Sequence, residues 1–232
     1  MTVEIGIVRF PGSNCEFDAA EAIEQLGGRS RMLWHEDPDI SGVDGIIIPG
    51  GFAHGDYLRP GAIARFSPVM NGVRSFAAEG GPVIGICNGF QILTESGLLP
   101  GALQKNVGLK FRCEMSELRV ETSSTALTNQ AEVGAIVRIP INHFEGNFTC
   151  DPETLAELRS EDRVVLRYVS NPNGSTDDIA GICSEGRNVV GLMPHPERAC
   201  LDLLGSVDGL ALMSSVLNSG RDRQSAVSLR CG

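Results

Sequence analysis

"VIGICNGFQIL", residues 83–93, carries an apolar run into a cysteine fenced by glycines and then continues with apolar side chains at helical spacing. The run reads as a buried strand and the continuation as a helix. Gly85-Ile86-Cys87-Asn88-Gly89 therefore has the glycine-x-nucleophile-x-glycine form, in which a strained strand-to-helix turn presents a nucleophile at the carboxyl end of a sheet. Glycines are needed on both sides because neighbouring strands and the helix crowd such a turn. A helix N-terminus also favours a thiolate through its oriented N–H groups, and the N–H of Asn88 points where an oxyanion would form. Alone, the pattern leaves a second reading open, a buried glycine-rich turn with an inert thiol.

Outward from this stretch, similar apolar runs bounded by Gly, Pro and Asp recur: "VEIGIVRF" (3–10), "SRMLWH" (30–35), "GIIIPGG" (45–51) and "GPVIGIC" (81–87). Runs without alternation suit strands buried on both faces, as in a parallel sheet. Helical segments are expected over 15–27, 61–79 and 88–96, so strand and helix alternate. The expectation is an α/β fold: a doubly wound, mostly parallel, flavodoxin-like sheet with helices on both faces. Residues 109–122 and 133–139 read as further strands, and "RVVLRYV", "DIAGICSE" and "NVVGLMP" as strands of a meander, which makes a small antiparallel addition. A last helix is expected from about Pro196 to Leu217. Residues 1–220 are expected to form a single domain, with 221–232 a mobile tail that has lost its periodicity.

Bulk properties narrow the class. With 232 residues, 42% hydrophobic, the chain can bury a full core. A formal charge of −10 and the absence of a basic run work against nucleic acid or an anionic membrane as partner. No stretch approaches the roughly 20 apolar residues of a membrane span, and "MTVEIGIVRF" lacks the pattern of a secretory signal, so a cytoplasmic protein is expected. Seven cysteines without a C-x-x-C pair fit reduced thiols better than a disulfide framework or a metal cluster. "WHEDPD" (34–39) could bind a cation but, with no second ligand group in sight, reads rather as a solvated acidic loop, and His35 and His54 as loop or surface histidines.

A second motif supplies what Cys87 lacks. "GLMPHPER" sets His195 between two prolines and two residues before Glu197, directly after the apolar run 189–193. The Glu197 carboxylate can receive one imidazole N–H and so fix the tautomer, leaving the other nitrogen for a nucleophile. Alone these residues could also be a cap and a first-turn carboxylate of the last helix. With Cys87 they make a nucleophile, base and orienter. "PGGFAHGDYLRPG" (49–61) adds consecutive glycines that can bring an N–H to a substrate oxygen, so Gly51, with Gly50 flanking it, is the expected second oxyanion donor beside Asn88.

These residues resemble the class I (triad) glutamine amidotransferases. The resemblance covers about residues 3–219 and runs through "RFPGSNCEFD", "PGGFAHGDYLRPGAIA", "GICNGFQIL", "GLLPGAL", "NPNGS", "IAGICSEGRNVVGLMPHPER" and "DGLALMSSVL". "RFPGSNC", "GDYLR" and "NPNGS" narrow it to glutaminase subunits that serve purine biosynthesis. The resemblance implies that Cys87 attacks the side-chain amide of L-glutamine, that His195 and Glu197 complete the triad, and that a glutamyl thioester is hydrolysed after ammonia leaves. Gln91 matches a position that contacts glutamine; the residues alone also allow a polar helix-surface side chain. It further implies a large synthetase subunit, which amidates formylglycinamide ribonucleotide with ATP and Mg, and a small third subunit, with no cofactor or metal in this chain. "PINHFEGNF" departs from the family's usual Ala-His-Gly-Glu-Gly at Asn142 and Phe144, and is expected at the partner-facing rim. Two other readings stand beside this one: a stand-alone cysteine hydrolase of the same fold, which has no reason to carry "RFPGSNC", and an inactive docking module, against which the intact Cys87, His195 and Glu197 argue.

Overall fold

The structure is a computed structural model that describes residues 2–231. Nine strands share one sheet: β1 (Glu4–Arg9), β2 (Arg29–Trp34), β3 (Gly45–Ile48), β4 (Val83–Ile86), β6 (Arg112–Val120), β7 (Ile136–His143), β9 (Val164–Tyr168), β10 (Ile179–Cys183) and β11 (Val189–Leu192). Their order across the sheet is β2-β1-β3-β4-β11-β10-β9-β6-β7. β5 (Ala102–Gln104) and β8 (Asn147–Thr149) pair apart from it as a two-stranded antiparallel ribbon.

From β2 to β11 every pair is parallel, and from β11 to β7 every pair is antiparallel. The α/β fold is as expected from the apolar runs, and β9, β10 and β11 do form a meander. The antiparallel part extends the parallel half by four strands, because the links β9–β10 and β10–β11 are too short for a crossover. All residues of β3, β4 and β11 are buried, which is why these segments show no alternation in sequence.

Five helices complete the fold: α1 (Glu16–Gln25), α2 (Val69–Ala78), α3 (Asn88–Glu95), α4 (Pro152–Ser160) and α5 (Gly209–Cys231). α3 lies against β3, β4 and β11 at very close range. A Cβ on Gly89 would stand 1.9 Å from the Ile48 carbonyl oxygen, so only glycine admits this approach. The last helix begins later than expected, because Pro196–Arg198 and Asp202–Leu204 are separate 3₁₀ turns. Residues 221–231 correct the tail expectation: they continue α5, with Gln224 donating to Asp44 and Arg223 over the Phe76 ring, while Gly232 lies outside the described residues.

The chain passes from β1 to β2 on one side and to β3 on the other, so the strand order switches at β1. Ligands of open α/β sheets sit beyond the carboxyl ends of strands at such a switch. Here the carboxyl ends of β1, β3, β4 and β11 lead into residues 10–15, Gly50-Gly51, Cys87 and Met193–His195.

Candidate active site

Cys87 follows β4 with φ 52° and ψ −105°, a left-handed conformation unfavourable for a side chain with a Cβ, so the turn is strained as the motif requires. The strain is held by neighbours on both sides. The Cys87 N–H donates to the Leu192 carbonyl at 2.8 Å, and the parallel register sets Ile86 beside Leu192. The same register delivers His195, three residues after Leu192, to the elbow. The His195 N–H donates to the Pro140 carbonyl at 2.9 Å, and Nδ1 lies 2.7 Å from Glu197 Oε1. His195 and Glu197 are both almost fully buried. Burial alone would lower the His195 imidazole, but the Glu197 carboxylate, then the Cys87 and Cys15 thiols, outweigh it and hold the ring well above its ordinary value.

Gly51 has φ 147°, in the region that glycine alone adopts with ease. It bridges Ser13 in antiparallel fashion, with the hydrogen bonds made by the flanking residues: Phe52 N–H to Gly12 O at 2.8 Å and Asn14 N–H to Gly50 O at 3.1 Å. In such a non-hydrogen-bonded pair the N–H groups of the paired residues face away from the partner segment. The Gly51 N–H is therefore turned from residues 12–14, and the Gly50 carbonyl is pinned by a second donor, Cys15 N–H at 3.2 Å. A Cβ on Gly50 would stand 2.7 Å from His195 Cε1, 3.0 Å from Cys15 Sγ and 3.5 Å from Cys87 Cβ, so both thiols and the imidazole converge where Gly50 leaves room.

These groups open into a cavity of about 60 Å³ that Gln91, Asp56, Asn142 and Glu145 also line. Gln91 is buried, which settles against a helix-surface position: its Oε1 accepts from Asn88 Nδ2 at 2.9 Å and its Nε2 donates to the Glu145 carbonyl at 2.6 Å. Asn88 Nδ2 also donates to Asp56 Oδ1 at 3.2 Å. Burial, and then the Glu145 carboxylate, raise Asp56 to about 6 despite that hydrogen bond. The Asn142–Glu145 segment thus forms a wall of the cavity. On this wall the Asn142 carbonyl accepts from Cys87 Sγ at 3.7 Å, and His143 is buried with neither ring nitrogen paired. Burial, with His195 next, pushes His143 down to about 4.

The structure also places residues here that sequence reasoning passed over. Cys15 Sγ accepts from Arg198 Nη2 at 3.2 Å, and Arg198 Nε donates to Asp18 at 2.8 Å, tying the start of α1 to the His195–Glu197 turn. Cys15 ends "RFPGSNC", at the same sheet edge as Cys87; that shared edge was the available signal. Cys15, His195 and Glu197 offer atoms within 4.8 Å of one another, a geometry open to a metal ion among the described residues. Glu197 already holds Nδ1, however, and the Arg198 cation beside Cys15 opposes a second cation. His35 and His54 stand apart from this cavity. Both lie in the connections after β2 and β3; their rings meet edge to face at 5.1 Å and both approach the Ser67 hydroxyl, with His35 buried.

Residues 2–208 match the family model described as the CobB/CobQ-like glutamine amidotransferase domain. The chain belongs to this glutamine amidotransferase family. Among its relatives, phosphoribosylformylglycinamidine synthase subunit PurQ of Rubrobacter xylanophilus is 58% identical over 215 residues, covering 93% of this chain and 98% of the relative. The protein of the same name from Koribacter versatilis is 53% identical over 227 residues, covering 94% and 98%. Among solved structures, PurLQS of Thermotoga maritima matches with a TM-score of 0.87 at 43% identity, over 94% of this chain and 99% of the matched one. A putative GMP synthase protein of Thermoplasma acidophilum, at 14% identity and a TM-score of 0.68 over 98% of each chain, shares the fold.

Proposed function

We propose that this chain is the glutaminase subunit of phosphoribosylformylglycinamidine synthase, a single domain over residues 1–220 whose last helix runs on to 231, acting in the cytoplasm of its cell. The observation that carries the reading is the strained Cys87 elbow beside a His195 ring whose Nδ1 is bound to Glu197 at 2.7 Å. Two relatives over half identical along almost their full length carry that name. No helix among the described residues is long and apolar enough to cross a membrane.

In this reading His195 Nε2 takes the Cys87 proton and the thiolate attacks the side-chain amide carbon of L-glutamine. Glu197 holds the tautomer that leaves Nε2 free. The oxyanion accepts from the N–H groups of Asn88 and Gly51, while Gly50, its carbonyl pinned and its Cβ absent, shapes the space between them. His195 then returns the proton to the amide nitrogen, ammonia leaves, and a glutamyl thioester remains on Cys87. Water, deprotonated by His195, attacks the thioester and releases glutamate. Gln91 lines the substrate cavity and fastens it to Glu145, and the carboxylates of Asp56 and Glu145 suit the α-ammonium group of the substrate.

The ammonia passes to the large synthetase subunit, which holds ATP and Mg and amidates formylglycinamide ribonucleotide, with a small third subunit in the complex. The test is Cys87→Ser in the reconstituted complex. Glutamine-dependent amidation is expected to fall at least about 10³-fold while amidation from added ammonium stays near wild type. Unchanged glutamine-dependent turnover would contradict the assignment.

A further inference from the structure

Lys105 and Lys110 are the only lysines in a sequence of net charge −10, and they share one loop, 105–111. That loop also turns Val107, Leu109 and Phe111 to solvent, with exposures of 66%, 67% and 48%. Leu109 has φ 53°, a left-handed conformation that costs a non-glycine residue roughly 1–2 kcal/mol. Strain that displays an apolar side chain to water gains nothing for the isolated chain; it gains something when the side chain enters a partner.

The loop's hydrogen bonds to residues 143–146 of the catalytic wall all run through Asn106. Asn106 N–H donates to the Phe144 carbonyl at 2.9 Å, its Nδ2 to the His143 carbonyl at 3.0 Å, and its Oδ1 accepts from Gly146 N–H at 3.0 Å. At the other side of the wall the Asn142 carbonyl holds the Cys87 thiol at 3.7 Å, and His195 Nε2 is buried without a hydrogen-bond partner. In the free chain, then, the wall carbonyl stands beside the nucleophile and competes with His195, whose ring the Cys87 thiol also approaches.

We infer that loop 105–111 is the docking element for the large synthetase subunit, and that docking, transmitted by Asn106 through residues 142–146, moves the Asn142 carbonyl off Cys87 so that the thiol pairs with His195 Nε2. The inference rests on the glutaminase-subunit reading and adds to it the surface and the route of activation. The occupant is a partner with an apolar socket rimmed by carboxylates, complementary to Leu109 between two lysines. A second copy is the poorer fit, since a two-fold contact would set lysines against lysines between chains that each carry −10. The loop also borders the cavity: Lys105 Nζ lies 5.8 Å from the centre of the Phe144 ring, so a partner seated there stands beside the site where ammonia forms.

The test uses the full chain together with the large and small partner subunits. The double variant Lys105→Glu/Lys110→Glu and, separately, Leu109→Asp are expected to weaken association at least tenfold while the glutaminase rate of the free chain stays at its wild-type value. Asn106→Ala is expected to bind with near wild-type affinity but to lose at least tenfold of the partner's stimulation. Wild-type affinity in both loop variants, full stimulation of Asn106→Ala, or a homodimer that Leu109→Asp dissolves would each overturn the inference. Failure of the underlying reading is distinguishable: there, saturating synthetase leaves even the wild-type glutaminase rate unchanged.

Discussion

The cavity has two sides made in different ways. One side is the carboxyl edge of parallel strands: Cys87 after β4, His195 after β11 and Gly50-Gly51 after β3, all positioned by backbone ladders and by a helix packed where Gly89 lacks a side chain. The other side, residues 142–146, is the end of edge strand β7, where Asn142 and His143 still pair with Cys113 and Arg112 of β6, and the turn after it, which side-chain amides hold. Asn173 Nδ2 and Ser175 Oγ donate to the Gly146 carbonyl at 2.9 and 3.2 Å, beside the Asn106 bonds. A side built on an inner ladder moves only if the sheet does, whereas the end of an edge strand and a turn held by a few amide contacts can be repositioned at smaller cost. On the proposed reading the chemistry sits on the rigid side and its adjustment on the soft one.

The largest effect is expected on the rigid side. Glu197→Gln removes the charge that supports the His195 imidazolium and lets an amide N–H face Nδ1, favouring the wrong tautomer, and kcat for glutamine hydrolysis is expected to fall about 10²–10⁴-fold with little change in thermal midpoint. A fall of less than fivefold would mean that the ladder alone orients the imidazole.

On the soft side, His143 is depressed to about 4 by burial, so the folded wall excludes a proton that the unfolded chain accepts near 6.5. Between those values the unfolded state binds more protons, so stability falls as pH drops from about 6.5 to about 4, by about 3 kcal/mol in total. Denaturant titrations at several pH values should show this component in the wild type and not in His143→Gln. A wild-type slope unchanged by that substitution would remove His143 as its source.

Asn173→Ala, which deletes one of the wall's fasteners, is expected to cost about 1–2 kcal/mol and to raise KM for glutamine more than it lowers kcat. Equal loss in both parameters would place the wall's influence in the chemical step. The smallest effect is expected at Asp56, raised to about 6. As pH falls through that value its carboxylate is neutralised, so KM for glutamine should rise several-fold below it, and Asp56→Asn should flatten that dependence at an already raised KM.

This division also separates what was legible in the sequence from what was not. The unbroken apolar runs, the glycine-fenced Cys87 and the proline-locked His195 announce themselves because strand burial, the elbow and the tautomer bond each depend on residues within a few positions. The placement of His195 beside Cys87 follows from one strand register. The roles of Asn106, Cys15 and Gln91 could not be read in this way. Asn106 reaches carbonyls 37 and 38 positions later in the chain, Cys15 meets Arg198 across the sheet edge, and Gln91 bonds a backbone carbonyl on a distant loop. Nothing local marks such contacts. The helical end of the chain escaped for another reason: residues 221–231 gain their order from contacts such as Gln224 with Asp44, not from an amphipathic stripe of their own.

Two thiols, Cys87 and Cys15, face one imidazole, and the central claim is that only the strained one reacts. Acid quenching during turnover with isotope-labelled glutamine, followed by peptide mass spectrometry, tests it most directly. A labelled glutamyl thioester is expected on the peptide containing Cys87 and none on the peptide containing Cys15; label on Cys15, or turnover with no covalent adduct on either thiol, would rule out Cys87 as the sole nucleophile.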